Sequence, residues 1–298
     1  MTTILIAGVA VIDFVFLLDA MPRRAEKYRA RDAAVSGGGC AANAAVTVAR
    51  LGGAARLAAR LGADPIGDMI VAELLDEGVD CSLVRRFAGR RSSFSSVFID
   101  AAGERQIVNY RDLEISFGAE WLDGASLGAF DAALADTRWP LGGTAVLAAA
   151  RKAGKPGVLD AEAPIMEAQA ALEIASHIAF SAQGLRDYSG EDDLAASLRN
   201  AQSATGAWVC VTDGARGVTW LDGGETRHMP VYPVEAVDTL GAGDAWHGAF
   251  ALALGEGRPE PSAIRFANAV AAIKCARFGG RAGLPSRAEV EQFMKERA

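Results

Sequence analysis

The chain has 298 residues and a net charge of −7, and 51% of its residues are hydrophobic. This length is more than one small core needs and short for two independent domains, so we expect one large α/β domain with a minor appendage. The negative charge argues against a general nucleic-acid or membrane-surface binder, because both need excess positive charge. No apolar stretch approaches the length of a membrane span.

The cysteines and histidines indicate a reducing compartment and argue against structural zinc. The four cysteines are widely spaced without a Cys-x-x-Cys pair, which is typical of reduced thiols. The three histidines show no metal-ligand spacing. Residues 4–9 are apolar with no basic residue before them, which favours a buried strand over a signal peptide. We therefore predict a cytoplasmic protein.

The first third of the chain contains two segments of β character without an intervening helix. After the strand at 4–9, the pattern predicts strands at 14–18 and 27–35, a helix at 41–51, a strand at 56–61 and a helix at 67–77. Alternation then predicts a hairpin of strands 93–100 and 104–110, with a turn that contains Gly103. The segments at about 14–35 and 92–112 could pair as a small separate sheet, which would act as a lid over the site.

The rest of the chain alternates between strands and helices. We predict strands at 130–136, 156–160, 177–181, 207–212, 216–221 and 226–230. Helices are predicted at 145–153, 166–175, 192–205, 242–254, 261–277 and 287–296. This order favours a single α/β domain over residues 1–298, in which a mostly parallel sheet has helices on both faces.

The strongest motif is Asp-Thr-Leu-Gly-Ala-Gly-Asp at 238–244, which leads into a helix of small residues. Gly241 and Gly243 allow a tight turn whose N–H groups converge, and the start of the helix adds a positive dipole end. Asp244 at the rim of such an anion site suits a base that takes a proton from a hydroxyl attacking phosphate. The alternative is a glycine-rich turn in which Asp244 only caps the helix.

A second glycine motif lies near the start of the chain. Three glycines at 37–39 allow a ligand to approach the backbone, and Asn43 follows one helical turn later. A loop with a capping role is the alternative. Together with Asp13, which follows the first strand, both motifs would meet at one edge of the sheet.

These two motifs resemble the two signatures of the ribokinase-like, or PfkB, family of carbohydrate kinases. The similarity extends over essentially the whole chain, including the β segments without helices. It implies a ribokinase-like three-layer α/β/α core with a mostly parallel sheet and a small β-sheet lid. It also implies transfer of the γ-phosphate of ATP to a sugar hydroxyl, with Mg²⁺.

The resemblance assigns a role to each matched residue. Asp244 would be the catalytic base, beside the anion-hole amides of Gly241, Ala242 and Gly243. Four residues would lie against the acceptor sugar: Asp13, Gly38, Gly39 and Asn43. The segment 212–217 matches the nucleotide loop of the family, and four residues would contact the nucleotide: Thr212, Gly214, Gly217 and Asn268.

One departure from the family concerns the metal. Many members carry Asn-x-x-Glu before the nucleotide loop to organise Mg²⁺, whereas residues 181–184 read Ser-Ala-Gln-Gly. The metal ligands are therefore not assigned, and Asp160 or Glu162 could replace the lost carboxylate. Whether a monovalent cation such as K⁺ binds beside Asp238 and the final loop is left open.

Shorter segments at 26–31, 103–110, 134–139 and 279–283 resemble the bacterial sulfofructose kinases. Those enzymes use ATP to phosphorylate the carbon-1 hydroxyl of 6-deoxy-6-sulfofructose. In them, residues matching Lys27, Asn109 and Arg138 gather around the sulfonate. A sulfonate is a permanent anion with three acceptor oxygens, so it favours Arg, Lys and an amide donor. Residues 111–114 depart from the pattern, and solvated surface charges are the alternative reading of Lys27 and Arg138.

Other functions are weighed against this one. A different acceptor, such as fructose, ribose, a ketohexose, a nucleoside or 2-keto-3-deoxygluconate, would use the same catalytic residues. A non-catalytic sugar-binding or nucleotide-binding regulator is compatible with the lost Asn-x-x-Glu. A dinucleotide oxidoreductase is disfavoured, because residues 8–13 lack the G-x-G-x-x-G fingerprint. The exposed lid edges predict a homodimer that pairs through the lid.

Overall fold

The computed structural model describes residues 1–102 and 104–297, without the side chain of Arg105. The turn predicted at Gly103 therefore lies outside the described residues. The strands are Thr3–Ala7 (β1), Val11–Leu17 (β2), Asp32–Gly38 (β3), Ala54–Gly62 (β4), Asp80–Phe87 (β5), Phe94–Ile99 (β6), Arg105–Tyr110 (β7), Ala132–Asp136 (β8), Gly157–Ala161 (β9), His177–Ser181 (β10), Trp208–Thr212 (β11), Val218–Asp222 (β12) and Glu225–Met229 (β13).

The helices alternate with most of the strands of the core. They are Cys40–Arg50 (α1), Pro65–Asp76 (α2), Gly124–Leu127 (α3), Pro140–Ala153 (α4), Gln169–Ile174 (α5), Ala182–Ser189 (α6), Leu194–Thr205 (α7), Ala242–Gly255 (α8), Glu260–Cys275 (α9) and Arg287–Lys295 (α10). Short 3₁₀ turns occur at Met166–Ala168, Gly214–Arg216 and Gly280–Gly283. None of the helices in the described part of the chain combines the length and the apolarity that crossing a membrane requires.

The larger sheet has the order β13-β12-β11-β10-β9-β8-β1-β4-β5, and it is parallel except for the pairs made by β12. Apolar side chains cover both faces, as buried parallel strands require. One core packs the sheet against α1, α2, α8, α9 and α10, and the other packs it against α3 to α7. The predicted ribokinase-like three-layer α/β/α architecture is confirmed.

The smaller sheet, which we call the lid, has the order β3-β2-β6-β7. Strands β2 and β6 are parallel, and the other pairs are antiparallel. Three residues separate β1 from β2, and Gly39 alone separates β3 from α1. Gly39 adopts φ 93°, and a Cβ atom there would lie 2.5 Å from the Val9 carbonyl oxygen. The base of the lid is therefore tightly packed where it joins the core.

Several elements differ from the sequence prediction. The strand predicted at 27–35 lies at 32–38, because residues 23–29 form an exposed charged segment without regular structure. Strand β5 was not predicted, since it is a polar edge strand with little apolar alternation. Helix α6 was also missed. It is short and mostly polar, and the Ser181 hydroxyl caps it by accepting from the Gly184 N–H at 2.9 Å.

Candidate active site

A cavity of about 150 Å³ lies at the carboxyl edge of the larger sheet, where the lid joins the core. Brändén's rule places ligands at this edge of a parallel sheet. The cavity is lined by both glycine motifs and by the loop that follows α9: Asp13, Gly37, Gly38, Gly39, Cys40, Asn43, Leu240, Gly241, Asp244, Gly280, Arg281 and Leu284. Two motifs about 200 residues apart in sequence therefore meet at one site.

The amino terminus of α8 provides backbone donors beside Asp244. Gly241 precedes the helix with φ 75°, a conformation that favours glycine. The described hydrogen bonds do not use the N–H groups of Gly243 and Asp244. A Cβ atom on Gly243 would meet nothing within 4 Å. This end of α8 thus offers free N–H groups, a positive dipole and open space, which together suit an anion.

The Asp244 carboxylate is held by an amide on another helix. Asn43 Nδ2 donates to Asp244 Oδ2 at 2.6 Å. The Asn43 oxygen accepts from Arg281 Nε at 2.7 Å, so the orientation of the amide is fixed. Arg281 is buried and also donates to the Gly38 carbonyl at 2.8 Å. The sequence indicated Asn43 but gave no indication of Arg281, whose burial depends on the tertiary fold.

Arg281 also connects the site to the base of the lid. Glu73 forms an ion pair with Arg281 at 3.2 Å and accepts from the Gly37 N–H at 3.1 Å. A Cβ atom on Gly37 would lie 1.8 Å from Arg281 Nη1, so this position requires glycine. The first glycine of the 37–39 motif therefore makes room for a buried cation rather than for a ligand.

A row of polar side chains crosses the lid. The register places Ser36 opposite Asp13, Asp13 opposite Ser95, and Ser95 opposite Asn109. Residues directly opposite each other share a face, and Asp13 lines the cavity, so the row lies on the cavity side. Asn109 Nδ2 donates to Ser95 Oγ at 3.2 Å. Burial raises the pKa of Asp13, although its hydrogen bond with Ser95 and the charge of Arg281 oppose the rise.

Acidic groups gather beside Asp244 at the ends of the neighbouring strands. The ligand atoms of Cys40, Asp160 and Asp244 lie within 4.8 Å of one another. Burial, followed by the charges of Asp244 and Glu162, raises the pKa of Asp160 well above its ordinary value. Burial also raises the pKa of the Cys40 thiol, which makes it a poor nucleophile.

Asp136 organises this edge although sequence reasoning gave it no role. Its carboxylate accepts from the N–H groups of Val9 at 2.8 Å, Ala41 at 3.1 Å and Arg138 at 2.9 Å. It thereby joins the exits of β1 and β8 to the start of α1. Burial raises the pKa of Asp136, and these hydrogen bonds oppose the rise. A buried carboxylate of this kind positions the loops of the site.

Comparison with known proteins identifies the family to which the chain belongs. The model of the pfkB family of carbohydrate kinases matches residues 1–287. The chain belongs to the PfkB family. It is 30% identical to fructokinase-1 of Oryza sativa over 87% of this chain and 88% of that protein. The ribokinase of Thermotoga maritima superposes with a TM-score of 0.87 at 27% identity, covering 99% of this chain and all of that chain.

A third similar protein was solved with its nucleotide. The fructokinase of Xylella fastidiosa with bound ATP superposes with a TM-score of 0.82 at 26% identity, covering 99% of this chain and 98% of that chain. The predicted nucleotide loop of this PfkB kinase, residues 212–217, contains a 3₁₀ turn between β11 and β12. Gly214 and Gly217 have φ values of 53° and 95°, which favour glycine. Arg216 forms an ion pair with Asp213 at 2.6 Å, and the Thr212 hydroxyl donates to the Phe180 carbonyl at 3.3 Å.

Asn268 of the PfkB kinase is buried and already hydrogen-bonded. Its oxygen accepts from Trp246 Nε1 at 2.8 Å, and its Nδ2 donates to the Pro230 carbonyl at 3.3 Å. Both polar atoms of its side chain are thus engaged within the protein. This geometry ties α9 to α8 and to the loop before the anion site.

The residues predicted to bind an anionic acceptor are only partly brought together in this PfkB kinase. Asn109 belongs to the polar row, and Arg138 follows β8 beside the acidic cluster. Lys27 is exposed in the segment between β2 and β3, and it does not line the cavity. The structure therefore places Asn109 and Arg138 on the two sides of the lid–core junction and leaves Lys27 on the surface.

The position beside Asp238, where the sequence left a monovalent cation open, does not fit one in this PfkB kinase. The ammonium of the fully buried Lys274 lies 2.9 Å from the carbonyl oxygen of Asp238 and 3.0 Å from its carboxylate. The same carboxylate accepts from the N–H groups of Gly279 and Gly280. A protein cation thus holds the oxygens beside Asp238 and the final loop.

The residues present do fit Mg²⁺, although the usual Asn-x-x-Glu carboxylate is missing. A Cβ atom on Gly184 would lie 2.1 Å from the Ala161 carbonyl oxygen, so a larger residue requires the backbone to move. The carboxylates of Asp160 and Asp244 offer the oxygen ligands that Mg²⁺ prefers. Glu162, whose charge also acts on Asp160, is a further acidic group at this edge.

Proposed function

We propose that this PfkB kinase transfers the γ-phosphate of ATP to the carbon-1 hydroxyl of 6-deoxy-6-sulfofructose. The observation that carries the kinase chemistry is the position of Asp244. Its carboxylate lies at the amino terminus of α8, beside N–H groups that form no hydrogen bond within the described part of the chain, and Asn43 holds it at 2.6 Å. A base and an anion site in direct contact are what phosphate transfer to an alcohol needs.

The reaction follows from the proposed roles of these side chains. Asp13 and Asn43 orient the acceptor by hydrogen bonds to its hydroxyl groups, between Gly38 and Gly39. Asp244 accepts the proton of the reacting hydroxyl as its oxygen forms a bond to the γ-phosphorus, and the bond to the leaving oxygen of ADP breaks. The amides of the Gly241–Asp244 turn stabilise charge on the transferred phosphoryl group.

The nucleotide is ATP, bound along the 212–217 loop. The ATP bound to the related fructokinase supports this assignment. The φ values of Gly214 and Gly217 let the backbone turn closely around phosphate or ribose, with Thr212 at the entrance. Mg²⁺ would supply charge neutralisation on the phosphates, and Asp160, Glu162 and Asp244 are the residues that would hold it.

The anionic acceptor is favoured by the charges at the lid–core junction. Arg138 is half-buried, and its guanidinium forms no ion pair within 4.0 Å with a carboxylate of the described residues. The charge of Arg138 acts on Asp136 and Asp160 only at longer range, so its guanidinium keeps N–H groups for an oxyanion. Asn109 would add an amide donor from the lid. Lys27 would add a further cation when the exposed segment before β3 closes on the site.

A comparison of acceptors tests this function. ADP release measured with sulfofructose, fructose, ribose and 2-keto-3-deoxygluconate should give the highest kcat/KM for sulfofructose. Arg138→Ala should lower that value about 30-fold, because one partner of a half-buried charge pair is lost, whereas turnover of fructose should change little. Arg199→Ala, which removes an exposed arginine on α7, is the matched control.

The possible results separate the alternatives. A kcat/KM for fructose or ribose above that for sulfofructose, unchanged by Arg138→Ala, would show a kinase for a neutral sugar. Binding of sugar and ATP without ADP release in the presence of Mg²⁺ would instead identify a regulator. Either result would overturn the proposed acceptor.

We also propose that two copies of the chain pair through the lid. The lid exposes Val35 on β3 and Ile107 and Val108 on β7, and each of these side chains is more than half exposed. Both strands are edges of the lid, and an exposed apolar edge favours pairing with another chain. Light scattering should give the mass of a dimer, and Ile107→Lys should convert it to a monomer. A wild-type monomer at micromolar concentration would exclude this interface.

A further inference from the structure

Three arginines lie near the junction of the lid and the core: Arg60 and Arg111 share the ring of Phe117, and Arg111 reaches the backbone of Arg138. Arg60 lies near the end of β4, Arg111 directly follows β7, and Arg138 follows β8. Arg111 Nη2 donates to the Arg138 carbonyl at 3.4 Å, so the end of the lid reaches the end of a core strand. None of the three guanidinium groups forms an ion pair within 4.0 Å with a carboxylate of the residues that the structure describes.

An aromatic surface holds two of these guanidinium groups. Arg60 Cζ lies 4.5 Å from the ring centre of Phe117 and 5.0 Å from that of Trp139. Arg111 Cζ lies 5.5 Å from the same Phe117 ring. The Trp139 ring is fixed by its burial and by the hydrogen bond from its Nε1 to the Phe117 carbonyl at 2.9 Å. Aromatic faces stabilise cations but do not neutralise them.

Arg60 is left with unsatisfied capacity for an anion. Its Nη1 donates to the Ser116 carbonyl at 3.0 Å, whereas its Nε is buried and has no hydrogen-bond partner among residues 1–102 and 104–297. Burial, and then the charge of Arg111, lower the pKa of Arg60 to about 10. Asp136 opposes this shift only at longer range. An anion bound by Arg111 would offset the repulsion between Arg111 and Arg60 and so stabilise both cations.

We propose that Arg60, Arg111 and Arg138 form a three-arginine site for the oxyanion of the acceptor. Arg111 and Arg138 bind the anion directly, one from the lid and one from the core, and Arg60 is a positioning residue behind Phe117. The inference rests on the proposed function, because it supplies the partners of the sulfonate. It adds two residues outside the resemblance to sulfofructose kinases, including one in the segment 111–114 that departs from their pattern.

The three-arginine site would also couple binding of an anionic acceptor to closure of the lid. Arg111 is exposed at the end of β7, two residues after Asn109 of the polar row. An oxyanion bound by Arg111 and Arg138 connects β7 to β8, and this contact draws the lid onto the core. A neutral sugar lacks this connection, so the anion would contribute to closure as well as to affinity.

The test uses methanesulfonate, which has the charged group without the sugar. At constant ionic strength with chloride, methanesulfonate should raise the thermal midpoint of the wild-type protein. Arg111→Gln should weaken this binding about 10-fold, the effect of one lost charge-assisted hydrogen bond. The exposed Arg265→Gln on α9 is the matched control and should behave as the wild type.

A second variant separates positioning from a structural role of Arg60. Arg60→Met keeps an apolar stem on Phe117 and Trp139 and removes the buried charge. In chloride its thermal midpoint should equal or exceed that of the wild type, while the stabilisation by methanesulfonate should be lost. A structural role would instead lower the midpoint in chloride.

Kinetic measurements distinguish failure of this inference from failure of the proposed function. Arg111→Gln should raise KM for sulfofructose about 10-fold with little change for fructose. If sulfofructose is the preferred acceptor and neither Arg111→Gln nor Arg60→Met alters methanesulfonate binding, the three-arginine site is wrong and the proposed function stands. If both variants lose methanesulfonate binding but fructose 6-phosphate is the better acceptor, the site holds and the acceptor is a phosphosugar.

Discussion

Replacing Asp244 by Asn should lower kcat by about 10²–10⁴, the range for removal of a general base. Asn has the shape of Asp, and its oxygen can still accept from Asn43 Nδ2, so the fold and the anion site should be retained. Only the capacity to take the proton of the hydroxyl is lost. Steady-state ADP release with saturating acceptor and ATP gives the effect on kcat.

Nucleotide binding is the necessary control for this variant. Fluorescence titration with ATP should show an affinity close to that of the wild type, because the N–H groups at the start of α8 are unchanged. Asp76→Asn, an exposed residue at the end of α2, should have full activity. If Asp244→Asn retains kcat within a factor of about 3 of the wild type, Asp244 is not the base.

Lys274→Ala should lower the free energy of unfolding by about 3–5 kcal/mol, because it leaves the buried Asp238 carboxylate without its cation. It should also make the enzyme dependent on K⁺, which can occupy the space between the Asp238 oxygens. The wild type, by contrast, should have equal activity in potassium and tetramethylammonium chloride. Thermal unfolding and ADP release, each measured in both salts, test these expectations.

An exposed lysine provides the control for Lys274→Ala, and the pKa of Asp238 predicts how stability depends on pH. Lys155→Ala breaks an exposed ion pair with Asp131, and its effect should be about 1 kcal/mol or less. Burial raises the pKa of Asp238, but hydrogen bonds from Leu240, Gly280 and Lys274 outweigh it and lower the pKa to about 2.

This folded-state pKa lies below the ordinary value of 3.8, so the stabilisation by Asp238 is complete above that value and is lost as the pH falls to about 2. Lys274→Ala should shrink that acid-dependent loss. A several-fold activation of the wild type by K⁺ would contradict the role given to Lys274.

The parts of the site that the sequence predicted share one property, which is that they lie in short motifs. The turn at 238–244 and the segment 37–39 are rich in glycine, which indicates tight turns or close approach of the backbone. The structure brings both segments to one cavity. The lid could be predicted because its strands alternate in polarity and lack helices between them. Strand β5 and helix α6 could not be predicted, because their many polar residues obscure the hydrophobic periodicity that identifies strands and helices.

The residues that sequence reasoning missed are buried charged side chains. Lys274, Arg281 and Asp136 are among the most buried groups of the protein, yet such residues are usually exposed. Their partners are the backbone of distant loops or an amide 238 positions away, as for Arg281 and Asn43. The local sequence pattern contains no information about contacts between residues so far apart in the chain. Asn268, a predicted nucleotide contact, also forms hydrogen bonds inside the protein, and its contact with the nucleotide stays a prediction.

The order of the elements along the chain has a consequence for biosynthesis. Every described strand of both sheets lies before residue 230, whereas the proposed base Asp244, the buried Lys274 and the Arg281 that orients Asn43 come later. A nascent chain on the ribosome therefore contains all of these strands before it contains the three side chains. The proposed active site is therefore completed late in translation, and an incomplete chain lacks residues that phosphate transfer from ATP would need.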